Sequence, residues 1–198
     1  NDDEIKFGEY TLNAIDDAGM AKVKLKYLFG KLSSFKIGGE SQFLNYEDTV
    51  TQNERYYASF AETDLYLTKK LVLRLGLRGE YSKLLYKYNL APRASIAYKT
   101  GDRGQISFAY GRFYQTPKRN YLYNTELNNY ESSTHYILNY QILSDDRSFR
   151  IETYYKEFDK LLLYDQVLST NGYGDAKGVD LFWRDKNTIP SADYWISY

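Results

Sequence analysis

Few residues of this 198-residue chain could carry out catalysis or bind a transition metal. His135 is the only histidine and cysteine is absent, so a transition-metal site would need carboxylate ligands almost alone. The acidic pairs Asp16 with Asp17 and Asp145 with Asp146 lack the ligand spacing of a calcium loop. No phosphate-binding glycine loop, nucleophile elbow or zinc-binding helix motif is present. We therefore predict neither an enzyme nor a protein that holds a metal or another cofactor.

The overall composition favours strands and gives no sign of a nucleic-acid partner. The chain has 26 Lys and Arg against 26 Asp and Glu, so its net charge does not indicate binding to nucleic acid. Tyrosine occurs 23 times and phenylalanine 10 times, and such rings fit the pleated surface of a β-sheet. No stretch approaches the roughly 18 apolar residues that a transmembrane helix needs. Transmembrane β-strands escape this criterion, because only every second side chain must be apolar.

A two-residue alternation of apolar and polar side chains runs along most of the chain. It is clearest from Leu71 to Tyr81, where leucines alternate with residues such as Arg74 and Arg78. The pattern predicts strands at 21–29, 71–81, 105–110, 134–142, 148–156 and 177–184, and more weakly at 35–43, 56–67, 93–98 and 193–198, with a doubtful strand at 5–12. We therefore predict an all-β chain of about ten or eleven antiparallel strands.

The predicted connections alternate between short turns and long polar loops. Short turns are predicted at 30–32, 68–70, 101–104, 144–147 and 186–190, and long loops at 46–55, 83–91, 117–131 and 160–174. Tight turns on one side and long loops on the other are typical of up-and-down outer-membrane β-barrels. Strands of about nine to eleven residues also match the length with which a tilted strand crosses the hydrocarbon layer. These features favour a transmembrane β-barrel, with one face toward lipid and the other toward the lumen.

Two alternatives have the same strand pattern. A passive, porin-like barrel would have identical alternation. A soluble β-sandwich of two packed sheets, acting as a carbohydrate-binding or adhesion module, would instead bury Leu71, Leu73 and Leu75 between its layers.

Five short motifs follow one another in the second half of the chain. They are LRGEYS at 77–82, PRAS at 92–95, FAYGRFYQTP at 108–117, HYILNY at 135–140 and GVDLFWRD at 178–185. Together they resemble the β-barrel of TonB-dependent outer-membrane receptors, of the kind common in Bacteroidetes. The resemblance implies part of a 22-stranded barrel in the outer membrane of a Gram-negative bacterium, closed by an N-terminal plug. It also implies active uptake of a scarce nutrient, such as siderophore-bound iron, cobalamin, an oligosaccharide or a peptide, driven by the TonB complex.

We expect the chain to form only part of a barrel. Residues 1–198 contain no recognisable signal peptide, plug or TonB box, and we expect them to form a partial barrel domain without its closing strands. About half a barrel would have two unpaired edges and an exposed apolar face. We therefore predict that the chain alone is not stable in water.

We expect the partners to be the receptor's own plug, the TonB complex, outer-membrane lipid and a small nutrient ligand, with no nucleic acid.

Candidate functional residues follow from the strand parity and the loops. Charged side chains on the polar parity are candidates for plug or lumen contacts: Arg74, Arg78, Glu80, Arg93, Glu152 and Arg184. Tyrosines in the long loops are candidates for substrate contact, since their rings give contact area at a low entropic cost: Tyr121, Tyr123, Tyr130, Tyr164 and Tyr173. Aromatic residues near strand ends are expected at the lipid–water boundary: Tyr81, Tyr98, Tyr110, Tyr155, Trp183 and Trp195.

Overall fold

The computed structural model describes residues 2–7, 10–47, 52–117, 129–165 and 167–198. These residues form eleven strands in one antiparallel sheet, in which each strand pairs with its neighbours in sequence. The strands are β1 (Asp2–Phe7), β2 (Tyr10–Phe29), β3 (Ser33–Glu47), β4 (Gln52–Tyr66), β5 (Leu71–Ser82), β6 (Lys87–Lys99), β7 (Gly104–Gln115), β8 (Glu131–Leu143), β9 (Arg147–Asp165), β10 (Val167–Asp185) and β11 (Tyr194–Ser197). Within the described residues, no helix is long and apolar enough to cross a bilayer.

The ladder registers sort the side chains onto two faces, because residues directly opposite each other point to the same side of a sheet. We call one side the polar face; it carries Lys36, Glu40, Arg74, Arg78 and Glu152. We call the other side the apolar face; it carries Leu25, Leu75, Phe108, Leu138 and Val179.

The sheet has a single layer, and its apolar face is not covered by other described residues. Only four apolar side chains are buried among the residues described, namely Ala58, Leu85, Ala91 and Tyr130. On the apolar face, Leu75 and Leu77 remain 42% and 47% exposed. A sandwich would bury such leucines against a second sheet, so the sandwich alternative is wrong.

The two ends of the sheet differ in their connections. We call the end that carries the connection 116–130 between β7 and β8 the loop end, and the opposite end the turn end. Turns at 30–32, 67–70, 100–103 and 144–146 close the turn end as predicted, and the last connection there is longer than predicted, at 186–193. At Gly30 the backbone has a φ of 60°, a left-handed conformation that glycine adopts without a steric penalty.

At the loop end the strands are longer than the alternation predicted. β2, β9 and β10 have 20, 19 and 19 residues. The predicted loops 46–55, 83–91 and 160–174 are therefore too long, because β3 reaches Glu47, β4 begins at Gln52, β6 begins at Lys87, and 160–165 and 167–174 are strand residues. Residues 48–51 and 166, and most of the predicted loop 117–131, lie outside the described residues. The alternation of apolar side chains ends before the hydrogen-bonded ladder between β9 and β10 does. Beyond the last apolar residues, Glu157, Asp159 and Asp175 lie on the same side of the sheet, and the two strands continue as a polar hairpin. The doubtful strand at 5–12 is also wrong in its bounds, since it runs from β1 into β2.

Candidate functional site

A group of five side chains joins four strands on the polar face. We call it the Arg78 cluster: Lys22, Glu40, Tyr56, Arg78 and Glu80. The guanidinium of Arg78 donates from Nη2 to Glu40 Oε1 at 3.0 Å and from Nε to Glu80 Oε1 at 2.5 Å. Its Nη2 also lies 3.4 Å from the Tyr56 hydroxyl, and Lys22 Nζ lies 3.3 Å from Glu40 Oε2. The side chains of Glu40, Glu80 and Arg78 are only 8%, 10% and 18% exposed.

Small residues explain how Arg78 reaches across the sheet. Glu40 on β3 and Glu80 on β5 both lie opposite Ala58 on β4. Because Ala58 has only a methyl side chain, the guanidinium passes over β4 to β3. The ladder registers therefore determine which carboxylates Arg78 meets.

A second ion-pair group lies nearer the turn end. We call it the Arg74 cluster: Lys36, Glu62, Asp64 and Arg74. Lys36 Nζ lies 2.7 Å from Glu62 Oε1 and 3.0 Å from Asp64 Oδ2, while Arg74 Nε lies 2.5 Å from Asp64 Oδ1. Arg74 is more exposed than Arg78, at 54% of its side chain. Each cluster contains two cations and two carboxylates, so this wall of the polar face consists of paired charges and not of charge of one sign.

A cavity of about 650 Å³ opens between the Arg78 cluster and the loop end. Its walls include Glu40, Arg78, Glu80, Tyr114 and Tyr130. The Tyr114 and Tyr130 rings meet edge to face at 6.1 Å, and the Tyr130 hydroxyl donates to the Lys87 carbonyl oxygen at 3.2 Å. Burial, together with the Glu80 carboxylate, raises the pKa of Tyr130 to about 12. Tyr130 therefore remains an uncharged phenol well above neutral pH, and it is suited to hydrogen bonding and ring contact.

Arg93 belongs to an aromatic stack on the same face. Its guanidinium carbon lies 4.7 Å from the Phe113 ring centroid, and that ring lies 4.7 Å from the His135 ring. Gly111 stands between Arg93 and His135 in the ladders. A Cβ at Gly111 would come within 2.9 Å of the Phe113 ring, so the glycine provides the space in which this ring lies. No group of three or more His, Asp and Glu among the described residues is arranged to hold a metal ion.

The family model described as TonB dependent receptor-like, beta-barrel matches residues 8–196. The chain belongs to the TonB-dependent receptor β-barrel family. No curated protein matches it in sequence. The predicted family and the predicted all-β, up-and-down barrel fold are thus confirmed, while the Bacteroidetes type stays a prediction.

Solved structures of siderophore receptors and of an iron transporter share the fold. The siderophore receptor PirA from Pseudomonas aeruginosa matches with a TM-score of 0.70 and 16% identity, over 94% of this chain and 41% of that one. A mutant ferric enterobactin receptor PfeA from the same species, in complex with enterobactin, matches with a TM-score of 0.76 and 14% identity, over 93% and 35%. The FrpB iron transporter from Neisseria meningitidis matches with a TM-score of 0.78 and 9% identity, over 89% and 34%. The chain thus spans about two fifths or less of the length of these receptors.

The remaining charged candidates of this receptor barrel lie apart from the two clusters. Glu152 accepts a hydrogen bond from Asn139 Nδ2 at 3.2 Å on the neighbouring strand. Arg184 donates to Asp193 at 2.9 Å from Nε and 2.5 Å from Nη2, which ties β10 to the connection before β11. This ion pair holds the pKa of the Asp193 carboxyl below its ordinary value. Sequence reasoning missed Lys36, Glu40, Tyr56, Glu62 and Asp64, although the parity of the weaker strands 35–43 and 56–67 places all five on the polar side.

The five tyrosine candidates of the receptor barrel separate. Tyr130 lines the polar-face cavity. Tyr173 lies in β10 opposite Asp159, on the same side as the apolar face, and is 87% exposed, so its placement in a loop is wrong. Tyr164 is also a strand residue, opposite Leu168 in the ladder between β9 and β10. Tyr121 and Tyr123 lie outside the described residues.

Aromatic side chains mark both ends of the apolar face of the receptor barrel. Toward the loop end, the Tyr81 and Tyr88 rings lie 4.5 Å apart and the Tyr110 and Tyr136 rings 5.5 Å apart. At the turn end, Trp183 packs edge to face against Phe149 at 6.0 Å. Two further aromatic residues predicted at the strand ends, Tyr98 and Tyr155, lie on the apolar face. Trp195 lies opposite Arg184 on the polar face, so the prediction that it lies at the lipid–water boundary is wrong.

Proposed function

We propose that the chain is part of the wall of an outer-membrane barrel that actively imports a scarce nutrient, such as siderophore-bound iron, cobalamin, an oligosaccharide or a peptide. The observation that carries the proposal is the contrast between the two faces of one sheet in a TonB-dependent receptor barrel. The polar face carries paired charges and a cavity, and the opposite face carries exposed leucine and aromatic side chains. A polar lumen and a lipid-facing exterior need this arrangement.

The height of the apolar face supports the membrane placement. Outward-facing apolar residues run from Leu71 to Tyr81 on β5. This segment spans about 34 Å along the strand, or about 24 Å in height at a tilt of about 45°. That height agrees with the apolar band of about 25 Å on outer-membrane barrels.

Within the proposed lumen, the charged candidates contact the plug or the transported ligand. Arg78 and Glu80 adjoin the cavity, while Arg74, Arg93, Glu152 and Arg184 lie elsewhere along the polar face. A lumen lined by balanced ion pairs stays hydrated, and a plug can form polar contacts with it without introducing unpaired charge. Tyr130 and the cavity beside it contribute to substrate capture at the loop end, which faces the outside of the cell.

The test is uptake by the full-length receptor in cells that have or lack TonB. Uptake of siderophore-bound iron, cobalamin and short oligosaccharides and peptides is measured with radiolabelled compounds. The proposal predicts accumulation of one class only, abolished when TonB is absent. The passive porin alternative predicts uptake of small solutes that is equal in the two strains, and that result would overturn active import.

A further inference from the structure

The apolar face has a groove near the loop end. Its volume is about 970 Å³, and its floor is formed by Gly39, Ser59 and Gly79, which stand in one row across β3, β4 and β5. Tyr57 and Tyr81 form the row on its loop-end side. The groove is therefore an apolar recess near the loop end of the exposed face, bordered by aromatic rings.

The glycines of the floor are not required by the packing of the sheet. A Cβ at Gly39 would meet its nearest neighbour, the Ala58 carbonyl oxygen, at 3.6 Å, and one at Gly79 would meet the Ser59 hydroxyl at 3.8 Å. Both are ordinary van der Waals distances. A larger side chain at either position could therefore fill this space without strain, yet both residues are glycine. The space lies on the exposed apolar face, which apolar groups from outside the chain must cover.

Two cations stand directly beyond the aromatic rim. The backbone N–H of Lys83 donates to the Arg55 carbonyl oxygen at 2.9 Å, which continues the β4–β5 ladder by one pair past Tyr56 and Ser82. Arg55 and Lys83 therefore point to the same side as Tyr57. Both are exposed, and the ion pairs found among the described residues include neither. Like charges directly opposite each other destabilise a sheet unless an anion lies between them.

We propose that the groove holds an acyl chain of a phosphate-bearing lipid of the outer leaflet, with the phosphate bound by Arg55 and Lys83. This inference rests on the proposed placement of the barrel in the outer membrane. From the groove floor toward the loop end, the order is apolar groove, tyrosine rim and neighbouring cations. Hydrocarbon, interface and phosphate follow in the same order along a membrane lipid. A protein partner would offer no reason for this order, whereas a lipid chain fits the open floor and its phosphate neutralises the two cations.

The test uses the full-length receptor, purified in detergent and titrated with lipid A that carries two phosphates, with native mass spectrometry as the readout. The double variant Arg55→Glu with Lys83→Glu reverses the two charges, and Gly79→Leu fills the floor while both cations remain. Lys177→Glu is the matched control, since Lys177 is an exposed cation on the same side of the sheet on β10, away from the groove. Lipid A with one phosphate and inorganic phosphate serve as further probes.

We expect the double variant and Gly79→Leu each to weaken binding of the diphosphorylated lipid by about tenfold or more, and Lys177→Glu to leave it unchanged. Inorganic phosphate alone should not compete at equal concentration. Wild-type affinity in either groove variant, an equal loss in the control, or full competition by inorganic phosphate would overturn the proposal. Because lipid binding is measured on purified protein, it is independent of TonB-driven uptake, so failure of one proposal does not imply failure of the other.

Discussion

At the scale of single residues, Arg78 connects three strands of the polar face. Its guanidinium contacts Glu40 on β3, Tyr56 on β4 and Glu80 on β5, and all of these contacts are largely shielded from water. A cation in this position stabilises two carboxylates that could not otherwise lie together without repulsion.

Charge reversal at this position is the first prediction. Arg78→Glu would place a third carboxylate beside Glu40 and Glu80, and should lower the free energy of unfolding of the full receptor by about 2–4 kcal/mol. The measurement is urea-induced unfolding in lipid vesicles, together with nutrient uptake. Uptake should fall while the protein still inserts into the outer membrane. Arg150→Glu is the control, since Arg150 is an exposed cation on the polar face of β9. Equal stability and transport in both variants would contradict the role given to Arg78.

Asp185 is a second residue with a defined structural role. It is 2% exposed and accepts hydrogen bonds from the backbone N–H groups of Asn187 and Thr188 at 2.8 and 2.9 Å. It also accepts from the Thr188 hydroxyl at 2.7 Å and pairs with Arg147 Nε at 3.1 Å. One carboxylate thus orders the connection after β10 and attaches it to the start of β9.

We predict that Asp185→Ala lowers the temperature at which the folded receptor unfolds on a semi-denaturing gel, because the backbone N–H groups of Asn187 and Thr188 lose the buried carboxylate that accepts from them. Asp193→Ala should have a much smaller effect, since it removes an ion pair exposed to water. The same gel provides the comparison. A larger effect at Asp193 than at Asp185 would show that the turn is held by its surface ion pair instead.

At the scale of elements, β3 contains two adjacent glycines with opposite requirements. Gly38 lies on the polar face, where an added Cβ would come within 2.6 Å of the Phe60 ring and still closer to the Val23 carbonyl oxygen. Gly39 lies on the apolar face with open space in front of it. Packing therefore requires a glycine at 38 and not at 39.

We predict that Gly38→Ala destabilises the full receptor by about 1–3 kcal/mol, as overpacking does in protein cores. Gly39→Ala should be neutral or slightly stabilising, because alanine restricts the unfolded chain. Unfolding in urea and lipid vesicles measures both. Similar losses in the two variants would mean that the polar-face contact between Phe60 and the backbone of β3 has no special role.

At the scale of the whole molecule, the exposed face determines the medium that the chain requires. Large apolar side chains on this face are exposed across the sheet, among them Leu25 at 67%, Leu77 at 47% and Val179 at 51%. β1 and β11 lie at the two edges of the strand order. An apolar surface of this extent, bounded by unpaired strand edges, promotes association in water.

The isolated 198-residue chain should therefore aggregate without detergent and become monodisperse in it. Size-exclusion chromatography with light scattering, with and without detergent, checks this prediction. Replacing Leu75 and Leu77 by glutamate should reduce the aggregation without improving the β-sheet signal in circular dichroism. A folded, monodisperse wild-type monomer in plain buffer would contradict the membrane assignment of the apolar face.

The sequence by itself determined the strand class, the two faces and the family. Alternation is a local property, so Leu71, Leu73 and Arg78 reveal their faces without any knowledge of neighbouring strands. Polarity alone could not distinguish a loop from a strand that continues beyond the apolar band. For this reason the sequence predicts Tyr173 in a loop, whereas it lies in β10.

Only the tertiary structure decided which residues meet across strands. The contact of Arg78 with Glu40 depends on the register of β3 and β4 and on the small Ala58 between them. The pairing of Arg55 with Lys83 beside an open groove depends on the register of β4 and β5 in the same way. Register is set by the hydrogen-bonded ladder as a whole, so a site built across several strands is not encoded in the spacing of residues along any one of them.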